Sequence, residues 1–170
     1  TRHYDVKFKK GANISKLRAK PFHMDPRSRE MLRLLMEDAV QRGECERVLD
    51  PDDVVCKSQA FVVCNPHRDE PRVVAACGPL NDSIVNQNKP LDSAKEIHEH
   101  MSNVFLAADF DMKSQFRQMG GTENALNTMV ITTPDGDFRP TSQNFGAAFC
   151  PGEAQENVNL MISDLPRVRA

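Results

Sequence analysis

The chain has no tryptophan, a single tyrosine (Tyr4) and no apolar run that approaches the roughly 20 residues needed to span a bilayer. The missing run excludes a transmembrane helix, and the polar, basic N-terminal stretch has no signal-peptide core. The expectation is a soluble intracellular protein, cytoplasmic or nuclear, with no membrane partner. Scarcity of large rings leaves few platforms on which nucleic-acid bases could stack. The five cysteines, Cys45, Cys56, Cys64, Cys77 and Cys150, form no C-x-x-C pair and are odd in number, which excludes a disulfide frame or a zinc knuckle. Cys64 and Cys77 fall in apolar strand-like runs and read as small buried hydrophobes. There is no internal repeat, low-complexity tract or linker, so 170 residues with 39% hydrophobic content make one domain. Its core draws on Leu, Val, Met and nine Phe.

A formal charge of −2 and a pI near 6.2 argue against a general nucleic-acid binder, whose affinity comes from neutralising phosphates. The charge is unevenly spread. Residues 1–29 carry nine Lys or Arg against two acids, Asp5 and Asp25, and the remainder is net negative. Lys7, Lys9, Lys10, Lys16, Arg18 and Lys20 are candidate contacts to a nucleic acid or an acidic partner face; the competing reading is a solvated tail.

Along the chain, 1–22 has little periodicity and reads as an extended N-terminal arm. Asp25-Pro26 is a helix start, an N-cap acid followed by proline at the first helical position. Met31, Leu32, Leu35, Met36, Ala39 and Val40 share one face of that helix, and Gly43 closes it. Val48–Asp53 reads as a loop, and Asp52-Asp53 as a turn cluster rather than a metal site. Ala60–Cys64 and Arg72–Cys77 read as strands, Gly78–Leu91 as a polar connector. Ser93 with Glu96 makes a capping box for a helix to Ser102, with Ile97 and Met101 inward. His98 and His100 diverge on a helix, which argues against a zinc site there. Val104–Phe110 reads as a buried strand. Met129–Thr133 and Phe138–Ser142 flank the turn signal Pro134-Asp135-Gly136. A last helix at Gly152–Asp164 turns Ala154, Val158, Met161 and Leu165 inward before Pro166.

Phe105–Met119, FLAADFDMKSQFRQM, ends an apolar run on Asp111 and places Phe116 five residues later. Asn144–Gln155, NFGAAFCPGEAQ, holds a Phe-Gly pair followed by proline and a helix. Upstream lie AFVVCNPHRDEPRVVAACGPLN (Ala60–Asn81) and KPFHMDPRSREMLRLLMEDAVQRG (Lys20–Gly43). In this order and spacing, from about His3 to Leu165, the segments resemble the reverse transcriptases of retroviruses and long-terminal-repeat retroelements. The resemblance implies an α+β fold made of fingers and part of a palm, with an antiparallel palm sheet packed by helices. It places about 23–90 in the fingers-like part and about 91–170 in the partial palm. It implies that Asp111 is a magnesium ligand at a strand end, that Phe116 lies under the sugar of an incoming nucleotide, and that Gln118, Arg72, Phe145 and Gly146 sit at nucleotide-pocket positions.

The departures from that family carry the functional expectation. Phosphoryl transfer there needs two divalent ions about 4 Å apart, held by carboxylates. Asp111 supplies one carboxylate, with Asp109 two residues before it on the same strand face, enough for at most one loose magnesium. The family's Tyr/Phe-x-Asp-Asp turn does not occur before Ala170, and the acid-aromatic-arginine triplet expected after Arg72 reads Ala76-Cys77-Gly78. The expectation is therefore a degenerate, truncated domain with vestigial Asp111, Phe116 and Gln118. It would need no cofactor and serve as a protein-binding or homodimerising module. Two alternatives stay open. One is the fingers and first palm half of an RNA-directed DNA polymerase, magnesium-dependent in its parent, whose remaining motif lies beyond this segment. The other is a non-catalytic RNA-binding domain.

Overall fold

Asp25 starts the first long helix as the sequence requires. Its carboxylate accepts the backbone N–H groups of Arg27 and Ser28, both at 3.0 Å, and Pro26 occupies the first turn of α1 (Pro26–Gln41). The helix ends where Gly43 takes φ +69°, a left-handed conformation that costs other residues energy. The computed structural model describes residues 3–64, 71–85, 93–102, 118–143 and 146–162.

After α1 the chain forms β1 (Cys45–Arg47), a 3-10 turn at Pro51–Asp53, β2 (Lys57–Val63), β3 (Arg72–Ala76), α2 (Gly78–Ser83), α3 (Ala94–Met101), α4 (Glu123–Thr128), β4 (Val130–Thr133), β5 (Gly136–Pro140) and α5 (Cys150–Ile162). The strands make one five-stranded sheet in the order β1-β5-β4-β2-β3. β2 and β4 pair in parallel, with Lys57 opposite Val130, and every other pair is antiparallel. The hairpin β4–β5 turns at Pro134-Asp135, where the Thr133 hydroxyl accepts the Asp135 N–H and donates to the Gly136 carbonyl. Pairing of β4 with β2 stitches the later hairpin to the earlier strand pair. Where Lys57 meets Asp137, an ion pair reinforces the seam.

α1 lies over one face of the sheet, where Leu32 and Met36 pack with Ala60, Ala75, Cys77, Ile131 and Phe138. A second core gathers Tyr4, Val6 and Leu17 of the N-terminal arm with Leu80, Ile84, Ala125, Met129, Phe149 and Cys150. All four residues of β4 are buried, as befits a central strand.

The structure corrects several expectations. Residues 78–83 of the supposed polar connector form α2, because Pro79 sits in a first turn and Leu80 finds the second core. Ile97 and Met101 do not face inward; they are 47% and 43% exposed, although the Ser93–Glu96 capping box forms as expected, with bonds of 2.7 and 3.2 Å. Met161 is 70% exposed, and the buried face of α5 lies at its start, on Cys150, Glu153 and Ala154, with Val158 half-buried. Cys64 lies just past the end of β2 and is exposed, unlike Cys77. The arm is no solvated tail: Tyr4, Val6 and Leu17 are buried and a 3-10 turn spans Ile14–Leu17. The strand expected at Val104–Phe110, and Leu165, lie outside the described residues.

Candidate functional site

The end of β3 carries the altered triplet. Ala76 is its last residue, Cys77 caps α2 and is buried, and Gly78 opens the helix. Burial pushes the Cys77 thiol above its ordinary pKa, with a hydrogen bond to Ser58 acting the other way, so the group is neutral. Gly146 packs directly on this strand end. A Cβ at Gly146 would stand 2.8 Å from the Ala75 carbonyl oxygen and 3.3 Å from the Cys77 sulfur, and the residue has φ +110°. Glycine is required there both for approach and for backbone conformation.

Asn81 holds the two segments together. Its Nδ2 donates to the Gly146 carbonyl at 2.9 Å, and its Oδ1 accepts the Ala148 N–H at 2.8 Å. Phe149 and Cys150 then enter the second core, which fixes the start of α5.

Arg72 is exposed at the opposite end of β3, in register with Val63. Three residues separate it from Ala75, about 10 Å along an extended strand, so Arg72 and Gly146 are not neighbours. Gln118 is exposed; the next residue, Met119, is buried, and its carbonyl accepts the Gln143 N–H at 3.0 Å. Asp109, Asp111, Phe116 and Phe145 lie outside the described residues. Among the described residues, no group of three or more His, Cys, Asp or Glu gathers to hold a metal. His98 and His100 are both on α3, two apart, and Asp52-Asp53 occupies a 3-10 turn whose first N–H groups are met by Asp50. No helix among the described residues is long and apolar enough to cross a membrane.

Of the basic arm, Lys7, Lys10, Lys16 and Lys20 are exposed. Lys9 donates to the Asp82 carbonyl at 2.8 Å, and Arg18 to the Val54 carbonyl. Those two cations tie the arm to the body.

The fold recurs in solved proteins. A prototype foamy virus protease-reverse transcriptase superposes with a TM-score of 0.70 at 13% identity, over 90% of this chain and 20% of that one. A foamy viral protease-reverse transcriptase solved with double-stranded DNA gives 0.63, also at 13% identity, over 88% and 25%. The fold is that of a retroviral-type reverse transcriptase.

Two curated relatives lie closer in sequence. The genome polyproteins of Petunia vein clearing virus, isolates Shepherd and Hohn, are 27% and 26% identical over 152 residues, 88% of this chain. This reverse-transcriptase-like chain spans only 7% of their length. No protein-family model matches the chain. The Asn81 clamp is not legible in the sequence, although Asn81 ends the Ala60–Asn81 segment and the Phe-Gly pair stands in Asn144–Gln155. What the sequence does not show is the contact between them, 65 residues apart.

Proposed function

We propose that this retroelement-derived segment, fingers-like over about 23–90 and palm-like over about 91–170, does not add nucleotides on its own and acts as a protein-binding or homodimerising module. One observation carries the first half of the reading: Ala76, Cys77 and Gly78 stand at the end of β3 where the family has an acid, a ring and an arginine, and Cys77 is buried. An acid, a ring and a guanidinium at 76–78 would order a nucleotide and offset charge on the transferred phosphate. Here those positions offer a methyl group, a neutral buried thiol and a hydrogen, and the Gly146 backbone occupies space beside them. Replacement of an ion pair by small apolar groups is structurally tolerable. It removes the triplet's cation and leaves Arg72, exposed at the far end of β3.

Support for a partner comes from exposed apolar side chains, Leu160 and Met161 on α5 and Ile97 and Met101 on α3. Size-exclusion chromatography with light scattering tests this directly: a dimer at micromolar concentration is the expected result. A monodisperse monomer at high micromolar concentration, with no partner co-purifying, removes the module reading.

A second reading is favoured by coverage. The solved relatives are four to five times longer than the matched region, so a parent of this chain could carry the missing carboxylates. In that reading the segment is half of an RNA-directed DNA polymerase and Asp111 contributes to magnesium binding. A Tyr/Phe-x-Asp-Asp motif in the parent reading frame downstream of Ala170 would decide for it. RNA binding by the exposed arm lysines predicts an affinity that falls steeply with salt, and salt-independent or undetectable binding would dismiss it.

A further inference from the structure

The N-terminal arm is bolted to one short segment by an unusually dense set of contacts. The Tyr4 N–H donates to the Gly120 carbonyl at 3.4 Å, and the Thr122 N–H donates to the Tyr4 carbonyl at 2.9 Å. The His3 ring lies against Gly120 and the Tyr4 ring against Gly121, where a Cβ would stand 3.0 and 2.6 Å from ring atoms. The two consecutive glycines form a seat, and at Gly121, against the buried Tyr4 ring, any larger residue would clash. Tyr4 is buried at the bottom of it, its hydroxyl directed at the Met129 sulfur.

Asp5 closes the arrangement. One carboxylate oxygen accepts the Thr122 hydroxyl at 2.8 Å, the Asn124 amide at 3.1 Å and the Val6 N–H at 2.9 Å. Thr122 is also the N-cap of α4, its hydroxyl oxygen accepting the Ala125 N–H at 3.2 Å. A six-residue helix has little stability of its own and depends on its cap. The arm therefore holds the group that holds the helix. Among the described residues, His3–Val6 joins no strand of the five-stranded sheet, and its only ladder contact is the isolated bridge from Tyr4 to Gly121.

We infer that His3–Val6 and Gly120–Asn124 form a latch that opens as one cooperative unit, separately from the sheet. Partial opening of contiguous cooperative units is a general property of native proteins. What distinguishes a latch from a frayed terminus is coupling: both sides lose protection together, or neither does.

Hydrogen exchange read by mass spectrometry on the intact 170-residue chain tests it. Amides of residues 4–6 and 120–125 are expected to exchange at one common rate, faster than those of β4 and β5. Asp5→Ala is expected to lower protection on the 120–125 side by about tenfold or more while leaving β4 and β5 unchanged. Fast exchange of 4–6 with 120–125 still protected would overturn the inference, as would exchange of 120–125 only together with the sheet. An Asp5→Ala chain whose 120–125 protection is unaltered would overturn it too. The unmodified chain already discriminates, so a variant that fails to fold leaves the test intact.

Discussion

Asn81 and Gly146 are joined by a 2.9 Å hydrogen bond from the Asn81 amide to the Gly146 carbonyl, while the other end of the same amide accepts the Ala148 N–H. This two-ended clamp fixes the loop before α5 against the end of β3. Asn81→Ala is expected to destabilise the fold by about 1–2 kcal/mol, the usual net worth of two hydrogen bonds of this kind. Asn81→Asp keeps the acceptor for Ala148 but sets a carboxylate oxygen against the Gly146 carbonyl, so it should cost at least as much. Urea denaturation midpoints of the three chains check the order.

Gly146 is the second half of the same relationship. Gly146→Ala places a methyl 2.8 Å from the Ala75 carbonyl oxygen on a backbone at φ +110°. A non-glycine residue in such a conformation costs roughly 1–3 kcal/mol, and the clash adds to it. The expected outcome is a fall in the thermal midpoint larger than that from Asn81→Ala.

Acid should weaken the fold in a defined way. Hydrogen bonds from Asn124 and then Thr122 hold the Asp5 carboxyl below the usual carboxylate range, and Arg29 does the same to Asp135. A group whose folded pKa is lowered stabilises the protein above its ordinary value near 4 and loses that contribution as pH falls through the folded value. Stability measured from pH about 5 to about 2 should therefore decline, and Asp135→Asn should make the decline shallower while lowering stability at neutral pH. A profile unchanged by that substitution would dismiss the Arg29–Asp135 tie between α1 and the hairpin.

Thiol reactivity should separate one cysteine from four. Cys64 is exposed, whereas Cys45, Cys56, Cys77 and Cys150 are buried. Burial pushes the Cys56 thiol up to about 11 and raises Cys77 as well. A single fast equivalent on titration with an aromatic disulfide is expected, absent in Cys64→Ser, with the others reacting only on unfolding.

Local chemistry made much of this fold legible from sequence. Asp25-Pro26 and Gly43 bracket α1, Ser93 and Glu96 announce α3, and Pro134-Asp135-Gly136 marks the hairpin, because each signal is satisfied within a few residues of itself. What escaped depends on distant partners. β1 is three residues long and owes its existence to β5, with Cys45 opposite Pro140, and α4 leans on the arm through Thr122. The arm's place in the core was written only in the short alternation Tyr4, Val6, Phe8, while the counterpart of Tyr4, the Gly120-Gly121 pair, lies over a hundred residues away. The exposure of Ile97 and Met101 could not be read from periodicity, which finds an apolar face without saying what covers it. At the candidate site, the altered triplet was visible as letters; the close approach of Gly146 to Ala75 and Cys77 was not.

The most direct test of the account is magnesium-dependent primer extension by the 170-residue chain on an RNA template. With Ala76, Cys77 and Gly78 in place of a nucleotide-ordering acid, ring and cation, no incorporation of deoxynucleotides is expected at any magnesium concentration. Incorporation that is abolished by Asp111→Asn would contradict the account, because it would show that these residues assemble a working phosphoryl-transfer site without the missing groups.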